Sequence, residues 1–296
     1  MMIDPLSVFL LLISASTPIL FAALGELVVE RAGVLNLGVE GMMITGALAG
    51  FAAAYASGNP FLGFAVAALA GATISLLFAA LTQLFLANQV ASGLALTLFG
   101  LGLAAMFGKP FEGVKAPAMP IGPLRINWIV WLGLIMVPVV WWFLNRTRRG
   151  LILRGVGENH EAAHALGYDV RLTRLAAIAF GGAMAGIGGA FISIATVLQW
   201  TEGMTAGAGW IALAIVVFSN WTAPGVLAGA WLFGGVTVLQ LRLQAAGVAV
   251  PVQLLSMAPY LATIIVLVAI SARQKYSRRA GAAAPGSLGT NFHALR

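Results

Sequence analysis

Long apolar runs are the feature that most constrains how this chain can fold. A run of about twenty apolar residues is long enough to cross the hydrocarbon core of a membrane as an α-helix, in which every backbone hydrogen bond closes within the segment. We therefore predict an all-α polytopic membrane protein with about eight to ten transmembrane helices. The runs cover residues 6–25, 38–57, 61–87, 91–107, 127–145, 175–197, 207–220, 225–243 and 251–271.

The composition agrees with a fold embedded in lipid. Of the 296 residues, 60% are hydrophobic and 8% are charged, whereas about 25% of the residues in a soluble domain are charged. Many of the 36 glycines lie inside the apolar runs, which favours helices packed closely through small residues. Because glycines also interrupt several runs, we allow for one or two re-entrant segments. The sequence contains no cysteine, which excludes disulfides, iron–sulfur clusters and thiol catalysis.

Basic residues predict the orientation of the spans, because cytoplasmic loops carry an excess of Lys and Arg. With the N-terminus outside, twelve of the 16 basic residues fall on the inner side and four on the outer side. The net charge of +7 therefore reflects membrane flanks, and we expect no nucleic-acid partner. The predicted organisation is one transmembrane domain over 1–272 with a cytoplasmic loop at 146–174, and a basic, disordered cytoplasmic tail over 273–296.

The cytoplasmic loop contains a sequence that matches a zinc-protease motif. His160, Glu161 and His164 have HExxH spacing, which places two imidazoles and a general-base carboxylate on one face of a helix. A catalytic zinc needs three protein ligands, and the position of the third histidine in the extended motif is occupied by Val170. The motif also lies in a charged loop rather than within an apolar run. An intramembrane zinc protease is therefore a remote alternative, and we predict no metal site.

The same stretch has the signals of a short, capped helix. Asn159 is a good N-cap residue and Gly167 is a good residue to end the helix, which leaves about two turns between them. Ala162, Ala163 and Leu166 would give this helix a shallow apolar knob beside acidic and basic residues. Such a helix could dock on a cytoplasmic partner, or it could be a plain interfacial loop helix.

Three blocks of sequence resemble one family of transport proteins. The block RGLILRGVGENHEAAHALGYDVRLTRLAAIAFGGAMAGIGGAF begins at residue 149, ERAGVLNLGVEGMMITGALAG covers 30–50, and EGMTAGAGWIALAIVVFSNWTAPGVLAGAWLFGGVTVLQLRLQ covers 202–244. Together with PVQLLSMAPYLATIIVLV at 251–268, they resemble permease subunits of ABC importers in the branched-chain amino acid, ribose and nucleoside superfamily. The patterns GWIALA and LFGGVTVLQLRLQ are most similar to the nucleoside-type branch.

The resemblance implies a transport subunit with several partners, and no enzyme. It implies a coupling helix that docks on a separate ABC ATPase, which would hold ATP and Mg, a second and different permease chain, and an extracytoplasmic substrate-binding protein at a bacterial cytoplasmic (inner) membrane. A branched-chain amino acid or sugar importer is the alternative within this class, and an ATP-independent channel or carrier lies outside it. The coupling residues that match the family pattern are Gly157, Glu158, Asn159, Ala162, Ala163 and Gly167, while His160 stands where the family commonly has proline.

Polar and aromatic residues in or beside the apolar runs are candidates for the substrate pathway. A charged group at the centre of a transmembrane helix costs about 2.5–3.5 kcal/mol on insertion scales, so Glu40 needs a partner or a function. Glu40 and Asn36 either line a polar pathway or hold neighbouring helices together, and the sequence leaves both alternatives open. Trp200 and Trp210 suit stacking on a base or anchoring at the interface. The pathway candidates are Asn36, Glu40, Asn88, Gln89, Trp210 and Gln240.

Overall fold

A computed structural model describes residues 5–246 and 284–293, together with Met257, Leu261, Ile264, Ile265 and Val268. Ten α-helices are defined within 5–246, and two of them, α3 and α8, continue into π-helical turns at Ala80–Leu84 and Phe191–Thr196. The helices are α1 Pro5–Arg31, α2 Val39–Ser57, α3 Pro60–Ala79, α4 Gln89–Gly108, α5 Trp128–Arg146, α6 Arg148–Glu158, α7 His160–Ala165, α8 Val170–Ala190, α9 Ala208–Phe218 and α10 Ala223–Ala245.

The structure confirms an all-α polytopic membrane protein. Within the described residues, α1 to α5, α8 and α10 give seven helices that are long and apolar enough to span a membrane, and each corresponds to a predicted run. The run at 207–220 is the short helix α9, whose 11 residues reach only about 16 Å, or half of the hydrocarbon core. The ninth run, 251–271, lies outside the described residues except for five positions.

The bundle has central and peripheral helices. In the apolar windows of α1, α2 and α8, 61%, 72% and 61% of the residues are buried, against 22% in α10. The helix α8 packs against α1, α2 and α3, and α3 also packs against α2. The remaining long helices therefore surround the α1–α2–α8 core and present apolar side chains outward, as expected for contact with lipid or with another membrane subunit.

Glycine pairs allow the central helices to approach each other closely. Gly46 of α2 lies against Gly186 of α8, and Gly71 of α3 lies against Gly182 of α8. A Cβ atom at Gly46 or Gly71 would collide with the backbone of α8. This contact confirms the prediction of small-residue packing, in which dispersion between closely spaced backbones replaces a hydrophobic driving force.

The basic residues separate between the two ends of the bundle. The α7 end comprises residues 32–38, 85–88, 146–169, 219–222 and 284–293, and the opposite end comprises 58–59, 109–127 and 197–202. Among the described residues, seven basic side chains lie toward the α7 end, namely Arg31, Arg146, Arg148, Arg149, Arg154, Arg171 and Arg174. Four lie toward the opposite end, namely Lys109, Lys115, Arg125 and Arg242. The basic residues that the structure describes therefore divide between the two ends of the bundle as the sequence predicts.

Candidate functional site

The stretch 157–167 forms a short helix that is capped at both ends. Asn159 interrupts the chain between α6 and α7, and its Oδ1 accepts a hydrogen bond from the amide of Ala162 at 2.9 Å. Gly167 ends α7 with a φ of +85°, a conformation that costs glycine little. The structure therefore confirms the short helix and the two cap residues that the sequence predicts.

The two faces of α7 differ in exposure. Ala162 and Leu166 are exposed, Leu166 to 76%, whereas Ala163 is 6% exposed and packs with Val156, Val170 and Phe292. The prediction that Ala163 belongs to an outward apolar knob is wrong, because Ala162 and Leu166 lie four residues apart on one face and Ala163 points back into the bundle. Glu158 and Glu161 remain exposed beside the outward face.

The two histidines of the HExxH sequence are held by packing. Both rings contact Phe292 edge to face, with centroid separations of 5.5 Å for His160 and 5.1 Å for His164. Arg174 donates to Nδ1 of His160 at 3.3 Å, so that nitrogen is unprotonated. Burial, followed by the charge of Arg174, lowers the pKa of His160 from its ordinary value of 6.5. Throughout the described ranges, no group of three His, Cys, Asp or Glu residues is placed to hold a metal.

A second cluster joins α2 to the start of the half-length helix α9. The carboxylate of Glu40, which is 4% exposed, accepts hydrogen bonds from Thr205 Oγ1 at 2.5 Å and from the amides of Gly207 at 2.9 Å and Gly209 at 2.7 Å. These amides begin α9, where the helix dipole favours a negative charge. The approach is so close that a Cβ atom on Gly209 would lie 2.5 Å from the amide nitrogen of Glu40.

At its other end, α9 is fixed to α1. Trp221 Nε1 donates to the Glu30 carboxylate at 2.5 Å, and Arg31 donates from Nε and Nη2 to the carbonyl of Trp221 at 3.0 and 2.8 Å. The helix α9 therefore begins beside the first turn of α2 and ends at the α7 end of the bundle. A discontinuous helix of this kind is typical of transport proteins, in which half-helices border the substrate pathway.

The polar pathway candidates occupy two different environments. Asn36 donates from Nδ2 to Glu26 at 3.4 Å and accepts from the amide of Gly38 at 3.0 Å, and Asn88 caps α4 by accepting from the amide of Ala91 at 3.0 Å. These contacts, and those of Glu40, favour the alternative in which polar groups hold neighbouring segments together. Trp210 of α9 is 49% exposed, and Gln240 of α10 is half-buried.

The loop at 108–126 packs against Trp200 at the opposite end of the bundle. Trp200 is 1% exposed, lies against Gly108 and pairs with Glu112 through an isolated bridge. Its burial leaves no ring face for a substrate, so the suggestion that Trp200 stacks on a base is wrong for this conformation. The loop at 108–126 is irregular apart from short 3₁₀ turns.

The C-terminal strap, residues 284–293, is ordered against the α7 end, although no apolar run or motif of the sequence predicts it. The predicted disorder of the tail does not hold for these residues: the amide of Ser287 donates to the carbonyl of Gly157 at 2.8 Å, and Phe292 is 5% exposed. Gln89 is 2% exposed and donates to the Thr290 carbonyl at 3.3 Å and to Asn291 Oδ1 at 3.1 Å. Its Oε1 also accepts from the amide of Leu35 at 2.8 Å.

The helical bundle, the half-length α9 and the capped α7 define a multi-pass membrane transport protein. Comparison with protein families matches residues 8–270 to the family described as the permease component of branched-chain amino acid transport systems. The chain belongs to this family, and it is a permease subunit of an ABC transporter rather than an enzyme.

Three relatives cover most of the chain. A putative glucose ABC transporter permease of Haloferax volcanii is 42% identical over 86% of this chain and 88% of the relative. A nucleoside ABC transporter permease of Lactococcus lactis is 34% identical, and a guanosine ABC transporter permease of Bacillus subtilis is 31% identical, each over 85% of this chain and 88% of the relative. These proteins agree with the predicted class and with its nucleoside-type branch.

Proposed function

We propose that this chain forms one side of the translocation pathway of an ATP-driven importer and that α7 is its coupling helix. The observation that carries the proposal is the outward face of α7, where Ala162 and Leu166 form a small apolar surface beside Glu158 and Glu161. A capped helix that projects between α6 and α8 can be pushed as a unit when an ATPase subunit closes. ATP and Mg belong to that ATPase, because this sequence has no GxxxxGK(S/T) phosphate-binding loop. Its Gly108-Lys109 pair is followed by proline.

The proposed orientation places the α7 end in the cytoplasm. Seven basic residues lie toward that end and four toward the other, which is the asymmetry expected of an inner face. The C-terminal strap would then be cytoplasmic, and the outer loop at 108–126 would face an extracytoplasmic binding protein. The apolar outer faces of the peripheral helices are suited to a second permease subunit and to the lipid of a cytoplasmic membrane.

Nucleosides are the proposed substrates. The support is the half-exposed ring of Trp210 beside the N-terminal turn of α9, since an aromatic face stacks on a base, together with two relatives named for nucleosides. A sugar importer is the second candidate, because the relative that is 42% identical is named for glucose. In either case the proposed pathway runs beside the Glu40-anchored start of α9, where the ring of Trp210 is 49% exposed.

Uptake by the assembled complex distinguishes these substrates. Proteoliposomes that contain both permeases and the ATPase would be supplied with a binding protein, ATP and either radiolabelled guanosine or radiolabelled glucose. We expect ATP-dependent uptake of guanosine, competed by other nucleosides and not by glucose. Uptake of glucose alone would establish the second candidate, and uptake without ATPase would contradict the coupling mechanism.

Co-purification tests the docking of α7. We expect Leu166→Arg to remove the ATPase subunit from the purified complex, because the substitution places a long cation in the proposed contact. Ile121→Arg is the matched control: Ile121 is 72% exposed at the opposite end and should leave the ATPase bound. Full retention of the ATPase by Leu166→Arg would refute docking at this face.

A further inference from the structure

The C-terminal strap joins three parts of the α7 end that are distant in sequence. Its amides donate to the carbonyl of Gly157 from Ser287 at 2.8 Å and to the carbonyl of Gly33 from Gly289 at 3.2 Å. The carbonyl of Thr290 accepts from Arg174 Nη1 at 2.9 Å. The strap is therefore fixed to the α1–α2 loop, to the end of α6 and to the start of α8.

The strap contacts α7 through Ser287 and Phe292. The hydroxyl of Ser287 accepts a hydrogen bond from the amide of His160 at 3.2 Å, which satisfies one of the free donors of the first helical turn. The ring of Phe292 packs against both histidine rings and beside Ala163. The inner face of this six-residue helix therefore rests on the strap as well as on α6 and α8.

Asn291, the neighbour of Phe292, ties the strap to the junction between α3 and α4. Asn291 Nδ2 donates to the carbonyls of Leu86 at 2.6 Å and Ala87 at 3.1 Å, and its Oδ1 accepts from Gln89. Leu86 has a φ of +56°, a conformation that is strained for a branched side chain and persists only where neighbours hold it. The preceding turn at Ala80–Leu84 is π-helical, a rare feature that is frequent at functional sites.

We propose that the strap transmits movement of α7 to the α3–α4 junction, with Ser287, Asn291 and Phe292 as positioning residues for transport. The inference rests on the proposed function of α7 as the coupling helix. When the ATPase displaces α7, Ser287 and Phe292 carry the strap with it, and Asn291 pulls on carbonyls beside the strained Leu86. The start of α4 then moves together with α7, which links ATP-driven closure to the helices that border the pathway.

The ratio of solute transported to ATP hydrolysed tests this inference. Complexes with Asn291→Ala or Ser287→Ala would be reconstituted with the ATPase, and uptake would be measured with the radiolabelled solute, guanosine or glucose, that the unmodified complex takes up. We expect each substitution to lower the ratio by about threefold or more, as for other residues that carry coupling between sites, while the ATPase rate stays within about twofold. His293→Ala is the control, because His293 is an exposed strap residue and should leave the ratio unchanged.

The possible outcomes separate the two proposals. An unchanged ratio in both variants, or a parallel fall in uptake and ATPase rate together with a lower unfolding temperature, would show that the strap only stabilises the fold and would overturn the inference. If the unmodified complex hydrolyses ATP without taking up either solute, the proposed function fails instead. A lower ratio at an unchanged unfolding temperature supports transmission through the strap.

Discussion

Replacement of Glu40 by glutamine tests whether this residue holds α9 or serves the substrate pathway. Its carboxylate accepts three hydrogen bonds, from Thr205, Gly207 and Gly209, at 2.5 to 2.9 Å. Glutamine has nearly the same shape, but one acceptor oxygen becomes an NH₂ group that faces a backbone N–H. The variant therefore loses at least one hydrogen bond to a charged group and the negative charge at the N-terminus of α9.

The structure allows an estimate of the cost. A hydrogen bond to a charged group contributes about 1.5–3 kcal/mol, and a negative charge at a helix N-terminus contributes about 0.3–1 kcal/mol, or about 2 kcal/mol where it is partly buried. We expect Glu40→Gln to lower the free energy of unfolding by about 2–4 kcal/mol. For a chain of this size, the unfolding temperature should fall by roughly 3–6 °C.

The assay is thermal unfolding of the purified permease in detergent, followed by circular dichroism. Glu112→Gln is the control, because Glu112 is exposed at the opposite end, and its effect should stay within about 0.5 kcal/mol. An unfolding temperature equal to that of the unmodified chain, together with loss of uptake, would refute the structural role and would assign Glu40 to the pathway.

Three further predictions concern packing, capping and pH. Gly46→Val should prevent recovery of monodisperse protein on size exclusion, because its side chain would collide with the backbone of α8, whereas Gly102→Val, in open space, should be tolerated. Asn159→Ala removes the N-cap of α7, at a cost of about 1 kcal/mol, and should weaken ATPase binding in a pull-down assay. Asn159→Ser keeps a capping side chain and should retain ATPase binding. Burial and the charge of Arg174 lower the pKa of His160. The contribution of neutral His160 to stability is therefore complete above pH 6.5 and is lost as the pH falls through the lowered pKa. Unfolding temperatures measured across this range should fall with the pH, and His160→Gln should make that fall smaller.

The apolar runs predicted most of the spans because a membrane requires long, internally hydrogen-bonded helices. The boundaries of the runs differ from those of the helices where polar residues belong to a helix. The run at 175–197 predicts a helix that starts later than α8 does, because Arg171 and Arg174 are polar, yet Asp169 caps α8 by accepting from the amide of Leu172 at 2.9 Å. The caps of α7 were predictable because they depend on local residues.

The contacts that organise the candidate site could not be predicted from the sequence, because they join distant positions. Glu40 accepts hydrogen bonds from the amides of Gly207 and Gly209, and Gln89 donates to Asn291. Each pair is separated by more than 150 residues of sequence. Nothing in the order of Ala162 and Ala163 shows which alanine faces outward, since the side of a two-turn helix that is buried depends on the strap beneath it. The strap itself has no apolar periodicity, and it is held by hydrogen bonds to carbonyls and by Phe292.

A single engineered cysteine gives the most direct test of the claim that α7 couples this permease to an ATPase. The chain contains no cysteine, so Ala162→Cys would carry the only thiol of this subunit, on the outward face of α7. With a short bifunctional cross-linker and the purified complex, we expect a covalent adduct with the ATPase subunit whose yield changes when ATP is added. The absence of that adduct, together with cross-linking of the ATPase to Ile121→Cys at the opposite end, would contradict the orientation and the function proposed for this chain.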